Sequence, residues 1–230
     1  MLLFFSFFSI ISYDFKLKYD IIFINFRELI KLNYKGNEKG WVETIVGPMY
    51  AGKTEELIRR IKRMEYAHKN YIIFKPNIDD RYSDCEIVSH NKKAMKAIGI
   101  DHGSEIKRHL KKDVQAVVID EVQFFDKSLV KYLKELADNG YRVICAGLDT
   151  DFRGLPFGPI GDIMAISESV TKLTAICSCC GEPATKTQRI INGKPAYYND
   201  PIILVGEKES YEARCRNCHI VLTGSEEDDK

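Results

Sequence analysis

The sequence has almost no net charge, because 34 Lys and Arg residues stand against 33 Asp and Glu residues and leave +1 at pH 7. Charges of both signs are interspersed, so the chain lacks the broad basic field of a dedicated nucleic-acid binder. It also lacks internal repeats and low-complexity tracts. Its 230 residues leave no room for two large domains, whereas 45% hydrophobic residues are enough for one buried core. These absences favour one ordinary domain with a small appendage and a small-molecule partner.

The chain also lacks a hydrophobic run long enough to span a bilayer. The most apolar segment, "MLLFFSFFSIIS", has no positive charge before it and no small-residue cleavage site after it. We therefore expect residues 1–40 to lie outside the main fold, as a mis-assigned start, and expect no stable membrane association. The alternative is a genuine extension that binds a membrane surface or a partner. Residues 223–230 are predicted to form a solvated acidic tail.

The seven cysteines lack the even, scattered arrangement of a disulfide framework. Four of them form two Cys-x-x-Cys pairs, which are Cys177 with Cys180 and Cys215 with Cys218. This pattern predicts a reduced, cytoplasmic setting and a closed four-sulfur Zn²⁺ site, which is structural because no coordination position stays open. In "CSCC", only the spacing favours Cys180 over Cys179. His219 as a substitute ligand and an independent redox dithiol remain alternatives.

The hydrophobic pattern after Gly40 predicts an α/β fold. Short apolar segments predict strands at 42–46, 71–74, 86–89, 116–120 and 142–148. Helical spacing follows Thr54, and a second amphipathic helix from Leu129 to Leu136 is closed by Asn139 and Gly140. This alternation predicts a mostly parallel sheet covered on both faces, with phosphates bound at the carboxyl ends of its strands.

The residue pattern of the sequence changes near Thr174. Closely spaced cysteines follow, together with an Asn192-Gly193 turn that predicts a β-hairpin. The cysteine pairs are separated by 34 residues, so we expect a long loop that is pinned at its base. We therefore divide the folded part into a nucleotide-binding domain at 41–174 and a small zinc-binding domain at 175–222.

The stretch "GPMYAGKT", residues 47–54, lies between the first strand and the first helix. Glycines allow the backbone N–H groups of such a loop to turn toward phosphates, and the helix that follows offers its positive end. Lys53 is predicted to reach the outer phosphates, and the Thr54 hydroxyl to bind Mg²⁺. A flexible surface loop is the alternative interpretation.

A second acidic motif, "DEVQFF", ends an apolar strand. Asp120 is predicted to hold Mg²⁺ or its water shell. Its neighbour Glu121 cannot point at the same metal, because successive side chains diverge at the end of a strand, so it is free to accept a proton. A solvated loop acid is the alternative for Glu121.

Two other functional classes share some of these motifs. A helicase core also combines a phosphate loop with an acidic tetrad, but only 110 residues follow Asp120, and these leave no room for a second motor lobe beside the zinc site. A zinc-ribbon module that binds nucleic acid would need clustered basic residues and an exposed aromatic platform near the cysteines, and the sequence has neither.

The order "GPMYAGKT", "DDRYSD", "DEVQFF", "GLDTDFRGLPFG" and the cysteine pairs closely resembles the thymidine kinase family of the type found in bacteria and animal cytosol, over residues 41–220. The resemblance implies transfer of the γ-phosphate of ATP to the 5′-hydroxyl of thymidine or deoxyuridine, in nucleotide salvage. It further implies a RecA-like domain with a small zinc-bound lasso domain, a homotetramer, and feedback inhibition by thymidine triphosphate.

The resemblance also implies roles for individual residues. Glu121 would be the general base, while Thr54 and Asp120 would serve Mg²⁺. The ATP-binding positions would be Gly47, Pro48, Met49, Tyr50, Ala51, Gly52, Lys53, Thr54, Asp120 and Gln123. The thymidine-binding positions would be Met49, Arg81, Phe124, Leu148, Phe152, Phe157, Leu204, Gly206 and Tyr211. Flat apolar side chains suit a planar base, although each of these aromatic residues could instead pack the core.

Overall fold

The structure is a computed structural model that describes residues 39–77, 86–88, 94–203 and 209–224. Its strands are β1 Trp41–Val46, β2 Tyr71–Pro76, β3 Glu86–Val88, β4 Ala94–Lys96, β5 Ile98–Ile100, β6 Ala116–Ile119, β7 Arg142–Gly147, β8 Ser169–Lys172, β9 Ala175–Ile176, β10 Pro183–Ala184, β11 Lys186–Ile191, β12 Lys194–Pro195 and β13 Glu209–Arg214. Its helices are α1 Lys53–Tyr66, α2 Ile106–His109, α3 Leu129–Asp138 and α4 Ile160–Ile166. Two short 3₁₀ helices cover Gly103–Glu105 and Val122–Phe124.

The main sheet has six strands in the order β5-β2-β6-β7-β1-β8. Every adjacent pair in it is parallel. The strand that leads to the phosphate loop, β1, is therefore an inner strand, and β7 separates it from β6, which leads to the acidic motif. The predicted α/β class with a mostly parallel sheet is confirmed.

Both faces of the sheet are covered, because alternate side chains of each strand point to opposite faces. Val117 and Ile119 pack with α3 and α4 in one core, whereas Ala116 and Val118 pack with α1 in the other. Leu57, Ile61 and Met64 of α1 are buried there at helical spacing. Because the sheet is buried on both faces, its strands are continuously apolar and do not alternate between apolar and polar residues.

Two details of the sheet differ from the sequence prediction. The predicted strand at 86–89 does form as β3, but it pairs antiparallel with β4 in a separate two-stranded sheet. The main sheet instead gains β5 and β8, which the apolar pattern did not identify. Residues of β8 alternate between half-buried and exposed, which is the pattern of an edge strand rather than of a continuous apolar segment.

The region after β8 is built from short antiparallel strands. A three-stranded sheet has the order β12-β11-β13, and β9 pairs with β10. The hairpin between β11 and β12 turns at Asn192 and Gly193, which have φ of 51° and 80°. Both residues therefore adopt the left-handed conformation that an Asn-Gly turn favours, and the predicted hairpin is confirmed.

Some predictions about organisation are not decided by the structure. The segment 1–38 lies outside the described residues, and the tail prediction falls almost wholly outside them as well. The boundaries at 40, 174 and 222 stay predictions. Within the part of the chain that the structure describes, no helix has the length and apolar character needed to cross a membrane.

Candidate active site

The phosphate loop connects β1 to α1 in a tight backbone path. At Gly47, a Cβ atom would lie 2.6 Å from the carbonyl oxygen of Leu173, so only glycine fits beside β8. Gly52 precedes α1 with φ of 81° and ψ of 24°, a left-handed conformation that glycine adopts without strain. Its carbonyl oxygen accepts the first helical hydrogen bond, from the N–H of Glu56 at 3.0 Å. The sequence thus produces a loop whose end is the positive terminus of a 14-residue helix.

Lys53 lies at the start of α1 and is directed back into the loop. Its Nζ donates to the carbonyl oxygen of Pro48 at 2.8 Å. Burial lowers the pKa of Lys53, while the charges of Glu121, Asp120 and Asp149 act in the opposite direction. The ammonium group is therefore held inside the loop among three carboxylates, where an anionic phosphate is the complementary partner.

Asp120 and Glu121 diverge at the end of β6. Asp120 is buried, and its Oδ1 accepts the N–H of Glu121 at 3.0 Å. Glu121 has a left-handed backbone with φ of 52° and ψ of 40°, an uncommon conformation for a residue with a Cβ atom. Burial, followed by the neighbouring charge of Glu121, raises the pKa of Asp120 to about 7. The two adjacent carboxylates therefore have different environments, as two different roles require.

The buried amide of Gln123 fixes Glu121 in place. Its Nε2 donates to Oε2 of Glu121 at 2.5 Å, and its Oε1 accepts the N–H of Leu148 at 3.0 Å. Gln123 is 2% exposed, and both bonds are partly buried. The side chain joins the acidic motif to the segment after β7 and orients the Glu121 carboxylate.

These elements surround a cavity of about 930 Å³. We call the loop residues 49–54 together with Glu121 its phosphate wall. We call its hydrophobic side chains the apolar wall, which comprises Phe124, Leu148, Phe152, Phe157, Ile202, Ile203 and Tyr211. The rings of Phe124 and Phe157 meet edge to face at 5.4 Å. A charged group and a flat apolar group can thus occupy the same cavity.

Four cysteines come together beside this cavity. The sulfur atoms of Cys177, Cys180, Cys215 and Cys218 all lie within 4.8 Å of one another. Four thiolates from two Cys-x-x-Cys turns suit a tetrahedral Zn²⁺ ion, so the donor set fits this metal. The remaining cysteine of "CSCC", Cys179, instead contacts the guanidinium of Arg214.

The cysteine cluster contacts both walls of the cavity. Ala51 of the phosphate loop packs against the small core around Cys177 and Cys215. His219, which follows Cys218, has its Nε2 at 2.8 Å from the carbonyl oxygen of Phe152. The N–H of Met49 donates to Oγ1 of Thr187 in β11 at 3.1 Å.

Residues 40–219, most of the chain, match the profile of the family described as TK, thymidine kinase. The chain belongs to the thymidine kinase family. It is therefore an enzyme of the class that phosphorylates nucleosides, and the predicted family is confirmed.

Among solved structures, one similar chain is the genome packaging NTPase B204 from Sulfolobus turreted icosahedral virus 2, in complex with sulfate. It is 18% identical, and the match covers 61% of this chain and 75% of that chain with a TM-score of 0.40. A TM-score of this size is too low to support an inference about this member of the thymidine kinase family.

Most of the predicted site residues of this thymidine kinase family member converge on the cavity. The lining includes Met49, Tyr50, Ala51, Gly52, Lys53, Thr54, Glu121, Gln123, Phe124, Leu148, Phe152, Phe157 and Tyr211. Gly47, Pro48 and Asp120 are not in the lining and lie behind the phosphate wall. Arg81, Leu204 and Gly206 lie outside the described residues. The roles of all these residues stay predictions, since position alone does not establish them.

Several lining residues were not identified from the sequence. Thr150 and Asp151 lie within the quoted motif "GLDTDFRGLPFG", so that motif could have suggested them. Thr187, Ile202 and Ile203 reach the cavity from the region after the first cysteine pair. Ile203 is the first residue of "ILVG", a stretch that resembles the lasso of the family, so that resemblance could have suggested it. No local pattern singles out Thr187 and Ile202, because the folding of β11 and its neighbours brings them to the site.

Oxygen donors near the loop fit Mg²⁺, the metal that the sequence predicts there. Thr54 and Asp120 are the predicted ligands. The carboxylate of Asp149 is also buried near Lys53, and within the described part of the chain its Oδ1 has no hydrogen-bond partner. Lys172 forms an ion pair with it, with Nζ at 2.8 Å from Oδ2. Carboxylate and hydroxyl oxygens are the ligands that Mg²⁺ prefers.

Proposed function

We propose that this protein transfers the γ-phosphate of ATP to the 5′-hydroxyl of thymidine, and of deoxyuridine, in nucleotide salvage. The observation that carries the proposal is one cavity that combines the phosphate wall with the apolar wall. Family membership supports nucleoside phosphorylation, and the aromatic side chains suit a planar base. The residues 47–54 supply the donors that a triphosphate needs.

In this reaction, Glu121 accepts the proton of the 5′-hydroxyl as the oxygen attacks the γ-phosphorus. The bond between the γ-phosphorus and the β,γ-bridging oxygen breaks, and ADP leaves with that oxygen. Its carboxylate lines the cavity and is oriented by Gln123. Lys53 leaves the Pro48 carbonyl and bonds the phosphates, where its charge offsets the charge of the transferring group. Mg²⁺, when bound, neutralises charge on the phosphate oxygens, and Thr54 and Asp120 would hold it.

The four cysteines would hold a structural Zn²⁺ ion. This ion would leave no open position for substrate, so it takes no part in the proposed chemistry. It would instead fix β9, β10 and the turn after β13 beside the cavity. The contact of Ala51 with the cysteines would then stabilise the phosphate wall, and the contact of His219 with Phe152 would stabilise the apolar wall.

Family membership also supports three further parts of the proposal. We expect a homotetramer, feedback inhibition by thymidine triphosphate, and a cytoplasmic location. Size-exclusion chromatography with light scattering tests the first, and inhibition kinetics with thymidine triphosphate test the second. The cluster of unbridged thiols supports a reducing compartment.

The decisive experiment uses ATP labelled at the γ-phosphate and a panel of nucleosides. We expect labelled monophosphate with thymidine and deoxyuridine and little with the other nucleosides. The Glu121→Gln protein, purified in parallel, controls for contaminating kinases. ATP hydrolysis that is stimulated by single-stranded nucleic acid, without nucleoside phosphorylation, would instead indicate a motor protein and would overturn the proposal.

A further inference from the structure

A cation lies fully buried behind the apolar wall of the cavity. Arg189, in β11, is 0% exposed, although arginine is almost never fully buried without partners. It does not line the cavity itself. A buried guanidinium is costly unless its contacts compensate for lost hydration, so those contacts indicate what the residue holds in place.

The first contact is with Phe152, a ring of the apolar wall. The guanidinium carbon of Arg189 lies 5.1 Å from the centroid of this ring, within the range of a cation–π interaction. The backbone of Phe152 is held separately by His219. Phe152 therefore has its ring supported from β11 and its carbonyl supported from the turn after β13.

The second contact is with the segment that carries Ile202 and Ile203. Nη1 of Arg189 donates to the carbonyl oxygen of Pro201 at 2.5 Å. Ile202 follows directly, and both isoleucines line the cavity while remaining substantially exposed. A charge-assisted hydrogen bond at Pro201 thus anchors the start of a segment that has little burial of its own.

The third relation is with Tyr211. Arg189 and Tyr211 are directly opposite each other in the antiparallel pair β11 and β13. Opposite residues of such a pair share one face of the sheet, so Arg189 lies beside the tyrosine that lines the cavity. One residue therefore adjoins three parts of the apolar wall that come from three separate segments of the chain.

We propose that Arg189 is a positioning residue for nucleoside binding, which fixes Phe152 and the segment 201–203 at the spacing that a flat base requires. This inference rests on the proposed function, because it assigns the apolar wall to the base of the nucleoside. It does not involve the phosphate wall. Loss of the guanidinium should therefore weaken nucleoside binding and leave ATP binding nearly unchanged.

The test compares three variants by calorimetric titration with thymidine and with Mg²⁺-ATP, together with steady-state kinetics and thermal unfolding. Arg189→Met keeps the side-chain length and removes the charge and the donors. We expect its Kd and KM for thymidine to rise about tenfold or more, since a lost hydrogen bond to a charged group has an effect of that size. Its Kd for ATP should stay within about twofold of the wild-type value, below what one such bond contributes.

Arg189→Lys keeps the charge and can still donate to Pro201, but it lacks the plane that lies over Phe152. It should recover part of the thymidine affinity. The matched control is Arg60→Met. Arg60 is also buried and forms hydrogen bonds, to Glu43 at 2.7 Å and to Thr171 at 2.8 Å, but it lies within α1 and does not line the cavity. We expect it to lower thermal stability without changing the ratio of the two affinities.

The outcomes separate this inference from the proposed function. Wild-type protein that binds no thymidine or deoxyuridine would overturn both. Wild-type protein that binds thymidine, together with Arg189→Met and Arg189→Lys proteins of unchanged thymidine-to-ATP affinity ratio, would overturn the inference alone. Parallel losses of both affinities in the Arg189 variants and in Arg60→Met would show a general structural role and would also overturn it. If the Arg189→Met protein does not fold, the thymidine-to-ATP affinity ratio of the Arg189→Lys protein decides the test.

Discussion

The two walls of the cavity are built in different ways. The residues of the phosphate wall, 49–54 and Glu121, lie in two short continuous motifs, each of which follows a parallel strand. The apolar wall is assembled from segments that are distant in the sequence, from Phe124 to Tyr211. The phosphate wall therefore depends on local backbone geometry, whereas the apolar wall depends on how the short strands after β8 are held against the main sheet.

The walls also differ in charge. At the phosphate wall, the ammonium group of Lys53 lies near the buried carboxylates of Asp120 and Asp149. Behind the apolar wall, one buried cation contacts a ring and a carbonyl oxygen. Substitutions that change charge at the phosphate wall should thus act mainly on phosphate binding and on the rate of phosphoryl transfer. Substitutions that change packing at the apolar wall should act mainly on nucleoside binding. Five variants test this division.

The largest effect is expected for Glu121→Gln, which removes the proton acceptor and keeps the shape of the side chain. Turnover should fall by about 10²- to 10⁴-fold, the usual contribution of a positioned base. ATP and thymidine should bind with nearly unchanged affinity in calorimetry. A variant that keeps more than about a tenth of the normal rate would show that Glu121 is not the base, since the expected loss is far larger.

Lys53→Ala should impair both ATP binding and rate, because the ammonium group meets the phosphates before and during transfer. We expect ATP affinity to fall about 10- to 100-fold, as for a lost hydrogen bond to a charged group. Thymidine affinity, measured without ATP, is the internal control and should change little. Normal ATP affinity together with a normal rate would contradict the phosphate-loop assignment.

Cys177→Ser and Cys215→Ser should act mainly on the apolar wall. Without a bound ion, the region after β8 regains conformational freedom, and thymidine affinity should fall by about tenfold or more, which corresponds to about 1.4 kcal/mol. ATP affinity should fall less, although the packing of Ala51 and the bond from Met49 to Thr187 give this region some contact with the loop. Metal analysis must show loss of zinc. Zinc-free protein with normal thymidine affinity would mean that the two walls are independent of the cysteines.

The smallest effect is expected in the pH dependence of stability. Burial, then the Glu121 charge, raises the pKa of Asp120 from 3.8 to about 7. A carboxyl group whose pKa is higher in the folded state than in the unfolded state binds its proton more tightly when the protein is folded. Its contribution to stability is complete below about pH 4 and is lost as the pH rises through about 7. In the absence of both nucleotide and added Mg²⁺, the Asp120→Asn protein should therefore have a higher melting temperature than the wild type above pH 7. The difference in melting temperature should vanish toward pH 4.

Thermal unfolding across this pH range measures the effect, with Asp113→Asn at an exposed position as the control. A melting difference between Asp120→Asn and wild type that does not change with pH would show that the buried carboxylate is not destabilising. It would also remove the electrostatic distinction between the two walls.

The sequence predicted the position of the phosphate wall, because consecutive residues form its loop. Gly52 is required by a left-handed conformation, which is a local constraint, whereas the close approach that requires Gly47 comes from the carbonyl oxygen of Leu173, far along the chain. The same reasoning predicted that Asp120 and Glu121 diverge, and the left-handed backbone of Glu121 shows how the chain turns between them. The parallel sheet followed from apolar strands that alternate with amphipathic helices.

The sequence did not reveal which strands pair at the edges of the sheet. The segment 86–88 has a strand composition, yet it pairs with 94–96 outside the main sheet, while β5 and β8 join that sheet. Pairing at an edge depends on which neighbours are available rather than on the propensity of the strand itself. The local pattern therefore gives the existence of a strand but not its partner.

By itself, the sequence determined the phosphate loop, the acidic motif, the pairing of the cysteines by spacing and the α/β class, because each depends on residues that are close in the chain. Only the tertiary structure placed Thr187 and Ile202–Ile203 in the cavity and buried Arg189 behind Phe152. These positions depend on contacts between distant segments, such as the hydrogen bond between Met49 and Thr187, 138 residues apart, and the contact between His219 and Phe152, 67 residues apart. Contacts of this kind form only when the whole chain packs, since no short stretch of sequence carries enough interactions to specify them.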